Sequence, residues 1–238
     1  MSYFRMLVSN LDGTLLGDDD ALQSFIQWRR STVRNFRLVY ASGQSIVEVQ
    51  QNLDRSALPP PDAIIGGLGS EISLNPGPVL ESWPSVEAGS WSNKIVRQIL
   101  EPFEELVLRP MVSQSAWKVS YYAESLVPRR LAAITEALHV GQVSARIFYD
   151  SCRELDVLPR GVDKGAAARW LADHWDIPPC RVIACGDNGN DLPLFEQGFM
   201  GVIVENATTE LREMLGAGIY RARMGFAAGV VEGMSYWA

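Results

Sequence analysis

The chain has 238 residues, 47% of them hydrophobic and 21% charged, and a formal net charge of −7. That length holds one large domain, or a domain carrying a smaller inserted one, and the composition is ordinary for a globular protein with a real core. The sequence shows no basic cluster, which argues against a nucleic-acid surface, and its N-terminal apolar run at 6–8 is far too short for a signal peptide or membrane span.

A cytoplasmic protein is therefore expected, with no nucleic-acid or membrane partner. The three cysteines, Cys152, Cys180 and Cys185, form no CxxC pair and are odd in number, so reduced thiols are expected. The two histidines, His139 and His174, lie too far apart to suggest a metal cage.

Short apolar runs alternate with helical patterns along the first third. The segment at 4–10 reads as a strand, and residues 19–30 read as a helix. "FRLVYA" is a second strand ending at Ser42-Gly43, "QSIVEVQQNL" a helix, and "DAIIGG" a third strand. This is the rhythm of a parallel sheet with helices on both faces.

The Pro/Gly-rich stretch "NPGPVLESWP" breaks that rhythm. Beyond it the pattern predicts a helix at 90–103, a strand in "AWKVSYYA", a helix starting at Pro128, and strands in "ARIFYD" and "RELDVLP". From Asp163 the first rhythm returns with "DKGAAARWLADHW", "RVIACGD", "NDLPLFEQ", "GVIVEN" and "TTELREML". The fold class expected is α/β: a Rossmann-like parallel-sheet core, residues 1–81 and 161–238, interrupted by an inserted α+β domain at 82–160.

Ligands in such sheets sit at the carboxyl ends of the strands. Asn10 and Asp12, Ser42-Gly43, and Gly186-Asp187 all fall at such ends. Each has a plain structural explanation alone, since Asp-Gly marks turns and Ser often caps helices. Together with Lys164, Asn190 and Asp191 they assemble the parts of a phosphoryl-transfer site. Converging carboxylates repel unless a cation joins them, and hard oxygen ligands favour Mg²⁺ completed by a substrate phosphate. Ser42-Gly43, at an expected helix start, offers a hydroxyl and backbone N–H groups to phosphate. Lys164 offers a point charge.

The motifs Asn10-Leu11-Asp12-Gly13-Thr14, Ser42, Lys164 and "GDNGND" at 186–191 resemble those of the haloacid dehalogenase superfamily of Mg²⁺-dependent phosphatases. The insertion falls as in the subgroup with a large C2-type cap. "GSEI" at 69–72, "WKVSYY" at 117–122, "LDVLP" at 155–159 and "GVIVENA" at 201–207 resemble the sucrose-phosphate phosphatase family. The resemblance implies hydrolysis of a phosphorylated disaccharide, with sucrose 6-phosphate first and mannosylfructose phosphate as alternative. It implies an aspartyl-phosphate at position 10, Asp12 as general acid and base, and Ser42 and Lys164 on the phosphate. It implies a Mg²⁺ site of the position-10 side chain, Asp12 and Asp187, with Asp191 in support. Sugar contacts are expected from Glu71, Lys118 and Ser120, alongside Gly43 and Asn190 near the phosphate.

Two positions depart from the pattern. Asn10 stands where the nucleophilic aspartate is expected. Its amide oxygen is a possible metal ligand and a poor nucleophile, so turnover by the chain as written should be nearly absent. Two histories fit: a substitution in an active phosphatase, or a catalytically silent domain that binds sugar phosphate or a sucrose-phosphate synthase-type glycosyltransferase. Gln44 stands where the family often has arginine, which removes a charge that could neutralise phosphate.

Overall fold

The computed structural model describes residues 4–31, 36–75, 77–80, 83, 91–150 and 153–238. Cys152, Ser90, and residues 76, 81, 82 and 84 of the Pro/Gly-rich stretch lie outside them.

Two sheets organise the chain. The larger has seven strands: β1 (Met6–Asn10), β2 (Arg37–Ala41), β3 (Ala63–Gly66), β4 (Glu71–Leu74), β9 (Val182–Gly186), β10 (Met200–Ile203) and β11 (Ile219–Arg221). Their spatial order is β11-β10-β9-β1-β2-β3-β4. All pairs are parallel except β3–β4, which closes the edge as an antiparallel hairpin. β1 and β9 lie side by side at the centre, and every residue of both is buried. That explains why "MLVSN" and "VIACG" show no polar alternation: a parallel strand covered on both faces has no solvent side.

Helices α1 (Asp19–Ser31), α2 (Ile46–Arg55), α5 (Lys164–His174), α6 (Leu192–Phe195), α7 (Thr209–Arg212) and α8 (Phe226–Tyr236) accompany this sheet. None of the helices among the described residues is long and apolar enough to cross a membrane. The expected elements are present with ends shifted by a few residues, whereas β4, β11 and α8 carry no expectation from sequence.

The smaller sheet is antiparallel, in the order β5-β6-β8-β7. It comprises β5 (Val107–Leu108), β6 (Val119–Tyr122), β7 (Ala145–Asp150) and β8 (Glu154–Pro159). α3 (Asn93–Leu100) and α4 (Pro128–Val140) pack on one face, where Val96, Leu100, Val119, Tyr121, Ile134, Leu138, Leu155 and Val157 form a separate core. Side chains alternate across a strand. Ser120, Asp156 and Phe148, which are register partners across β6, β8 and β7, therefore take the opposite face.

His174 stacks on Trp170 with 5.0 Å between ring centroids. Cys180 and Cys185 are free thiols, and burial pushes the Cys185 thiol upward.

Candidate active site

β1 ends at Asn10, and the chain turns at once through Asp12 and Gly13. Gly13 has φ +82°, and a Cβ there would collide with the Asp187 carboxylate, so the turn requires glycine. Asn206 braces the turn by donating from Nδ2 to the Gly13 carbonyl at 2.7 Å. β9 ends beside β1 and delivers Asp187. α5 starts at Lys164 because Asp163 caps it, accepting the Ala166 N–H at 2.8 Å.

These strand ends and this helix start meet. Lys164 Nζ donates to Asn10 Oδ1 at 3.1 Å, Asn190 Oδ1 at 2.7 Å and Asp191 Oδ1 at 2.7 Å. All three ammonium protons are committed. Asp191 is fully buried, and its second oxygen accepts the N–H groups of Asp187 at 3.0 Å and Asn188 at 3.2 Å. Asp187 Oδ1 accepts from Asn10 Nδ2 at 2.7 Å and from the Thr14 hydroxyl. Burial, then the nearby Asp191 charge, pushes the Asp187 carboxyl above the ordinary aspartate value.

Asp12 keeps an open side toward a cleft. Desolvation by the surrounding protein still raises its pKa, while Lys164 and a 2.9 Å hydrogen bond from Gln44 Nε2 pull it down. Gln44 Oε1 in turn accepts from Asn52 Nδ2 at 2.8 Å. The chain Asn52–Gln44–Asp12 thus holds the Asp12 carboxylate in place.

The cleft, about 510 Å³, has Asn10, Asp12, Gln44, Lys164 and Asn190 on one side and Arg109, Asp150 and Glu154 of the small-sheet region on the other. A neighbouring recess of about 440 Å³ shares Gly43, Asp150, Glu154, Asn188 and Asn190 and reaches Arg146, Phe148 and Asp156.

Three expectations need correction. Ser42-Gly43 does not start a helix: α2 begins at Ile46, capped by Ser45 in a reciprocal box with Glu48. Ser42 is instead buried in the β2–α2 loop, where its Oγ accepts the Gln44 N–H at 3.1 Å. Ser120 shares the cleft-side face but is fully buried beneath Arg109, whose Nη1 lies 3.4 Å from its Oγ. Finally, the Asn10 amide oxygen, expected to ligate a metal, faces Lys164.

Glu71 and Lys118 sit at a seam rather than on the cleft wall. Glu71 Oε2 accepts the Ile46 N–H at 3.3 Å. Lys118 is 1% exposed, donates to the Gly43 carbonyl at 3.3 Å and lies 3.6 Å from Asp156 Oδ1. The sequence reading missed Arg109, Asp150, Glu154 and the polar face of α2. Only the last left a signal: Glu48, Gln51 and Asn52 recur at helical spacing.

A parallel sheet whose central strand ends gather carboxylates around a buried lysine, facing an antiparallel sheet across a polar cleft, defines a hydrolase of the haloacid dehalogenase type. The chain belongs to the Sucrose-6F-phosphate phosphohydrolase family, whose sequence pattern matches residues 3–238. It is 32% identical over 243 residues to the mannosylfructose-phosphate phosphatase of Agrobacterium fabrum (strain C58 / ATCC 33970), covering 100% of this chain and 98% of that one. It is 28% identical over 252 residues to sucrose-phosphatase 1 of Nicotiana tabacum, covering 98% of this chain but 59% of the plant protein. The solved sucrose-phosphatase of Synechocystis sp. PCC6803, in complex with sucrose and phosphate, superposes with a TM-score of 0.89 at 31% identity, covering 100% of this chain and 98% of that one.

Proposed function

We propose that this chain carries the site of a sugar-phosphate phosphatase acting on a phosphorylated disaccharide, sucrose 6-phosphate first, with its nucleophilic carboxylate replaced by the Asn10 amide. The carrying observation is the convergence of Asn10, Asp12, Lys164, Asp187 and Asp191, with Asn10, Asp12 and Lys164 lining one cleft. The relatives' activities, on sucrose phosphate and mannosylfructose phosphate, support the substrate class. Residues 82–160 form the cap in this reading, and 1–81 with 161–238 the core.

With aspartate at position 10, one carboxylate oxygen attacks phosphorus and the bond to the sugar oxygen breaks. Asp12, held protonated more readily by its burial, gives its proton to that leaving oxygen. Water then attacks the aspartyl-phosphate, returns a proton to Asp12 and releases phosphate. Lys164 balances charge on the phosphoryl oxygens, and the cap excludes bulk water. Ser42, Gly43 and Asn190 flank the phosphate, and Lys118 holds the cap wall against the Gly43 loop.

The family implies Mg²⁺, held by the position-10 side chain, the Asp12 carbonyl and Asp187, with Asp191 supporting through Lys164; when bound it supplies charge neutralisation at the phosphate. With Asn10 the donor set does not fit it: the Asn10 Nδ2 group already donates to both other ligands.

Asn10 itself favours a second reading, a silent domain that binds sugar phosphate or a synthase-type glycosyltransferase. One assay separates them: phosphate release from sucrose 6-phosphate and mannosylfructose phosphate, with Mg²⁺, by the chain and by Asn10→Asp. Turnover by Asn10→Asp alone supports the phosphatase. Two silent forms that still bind the sugar phosphate overturn it in favour of the binding domain.

A further inference from the structure

An amide has one acceptor and one donor end, where a carboxylate has two acceptors. At position 10 the acceptor end is committed to Lys164 at 3.1 Å. The donor end spans the Asp12 carbonyl at 2.8 Å and Asp187 Oδ1 at 2.7 Å. Turning the amide over would set its N–H₂ against the Lys164 ammonium. It would also set its oxygen against a carbonyl and a carboxylate. Both contacts would be repulsive, so the hydrogen-bond network fixes the orientation.

An aspartate here would serve Lys164 with one oxygen and a cation with the other. The asparagine serves Lys164 only, and its two N–H bonds meet the oxygens that a cation would join. Thr14 and Gly13 hold that arrangement: the Thr14 hydroxyl donates to the same Asp187 oxygen, and Asn206 fixes the Gly13 carbonyl.

From this we propose that the Asn10 amide is a built-in substitute for the metal ion: its N–H₂ group ties the Asp12 carbonyl and the Asp187 carboxylate together by hydrogen bonds, so this chain keeps the site folded without a divalent cation and binds one only weakly. The proposal rests on the phosphatase reading of the site and goes beyond it, because it separates metal affinity from the loss of the nucleophile.

The test is a Mn²⁺ titration of the full chain, followed by electron paramagnetic resonance of free Mn²⁺, on three forms: the chain as it is, Asn10→Asp and Asn10→Ala. Asn10→Asp should bind Mn²⁺ roughly 100-fold more tightly than the parent, equivalent to about 2.7 kcal/mol. Asn10→Ala deletes the N–H₂ group without adding a charge, so it too should bind Mn²⁺ more tightly than the parent. Parent affinity equal to that of Asn10→Asp would overturn the proposal. So would weaker binding by Asn10→Ala, since that means the amide oxygen had been a ligand. The alanine form keeps the test decisive if Asn10→Asp does not fold. Failure of the phosphatase reading looks different: the Mn²⁺ pattern holds, yet Asn10→Asp releases no phosphate from any sugar phosphate.

Discussion

The two walls of the cleft are built on opposite plans. On the strand-end wall the polar groups close on each other: Lys164 spends its three protons on Asn10, Asn190 and Asp191, and Asp191 takes two backbone N–H groups with its other oxygen. On the small-sheet wall, Arg109 Nε and Asp156 Oδ1 are buried without a hydrogen-bond partner among the described residues. Arg109 is tied to Glu154 by a 2.6 Å ion pair, and Asp156 has Lys118 at 3.6 Å. Buried polar groups normally find partners, so these two atoms leave the small-sheet wall less completely paired than the strand-end wall. The first wall is rigidly cross-linked by its own hydrogen bonds, and the second is less completely paired.

The largest test of that contrast changes one atom type on the closed wall. Asn10→Asp should raise phosphate release from a sugar phosphate by at least ~10³-fold, because removing a nucleophile in other hydrolases costs that much or more. A release rate within tenfold of the parent in a malachite-green assay would mean the strand-end wall is not a reaction centre.

Lys164→Ala comes next. Lys164 and Asp191 are 1% and 0% exposed, so the truncation strands a buried carboxylate. Breaking such a pair costs about 3–5 kcal/mol. Urea denaturation should register that loss, and Lys164→Ala combined with Asp191→Asn should recover a large part of it, since the two residues share one network. Strictly additive losses would show that the pair is not the keystone of this wall.

On the open wall the expected effects move from stability to binding. In the Asn10→Asp background, Lys118→Ala should raise KM about tenfold and change kcat less than threefold, the pattern of a group that binds ground and transition states alike. An unchanged KM would show that the Lys118 seam does not support substrate binding. The structure gives the residue an indirect role: it bridges the Gly43 carbonyl and Asp156, so its loss loosens both walls at their contact.

The closed wall was largely legible in the sequence. Its residues are adjacent to buried strands or helix starts, so position along the chain already reports position at the sheet edge. Asn10 and Asp187 needed only the strand ends of "MLVSN" and "VIACG". The orientation of the Asn10 amide was not legible, because it depends on a lysine 154 positions away. The open wall was mostly hidden for the same reason. The Arg109–Glu154 pair exists only through the register of β5, β6 and β8. Ser120 alternates correctly toward the cleft, yet Arg109 covers it, and strand period does not report who lies on top. The α2 start was misplaced by competition between two serines, settled by the Glu48 partner that only Ser45 has. α8, with glycines in "FAAGVVEGMSY", forms through burial against α1 and β10 rather than propensity.

The smallest effect belongs to Glu71, at the seam of the two walls. Burial pushes its carboxyl above the ordinary 4.5, and the nearby Glu48 charge adds to this. The Ile46 N–H and Lys118 pull it back. The folded protein therefore holds this proton more tightly than the unfolded chain does. The stabilisation is fully present below pH 4.5 and is lost as pH rises through the raised value. Glu71→Gln removes the titration while its amide oxygen remains able to accept from Ile46. The stability of Glu71→Gln relative to the parent should thus increase from acid to neutral pH in urea melts. A difference independent of pH would mean that Lys118 and the Ile46 N–H fully offset the burial. The seam would then belong to the closed wall and not to the open one.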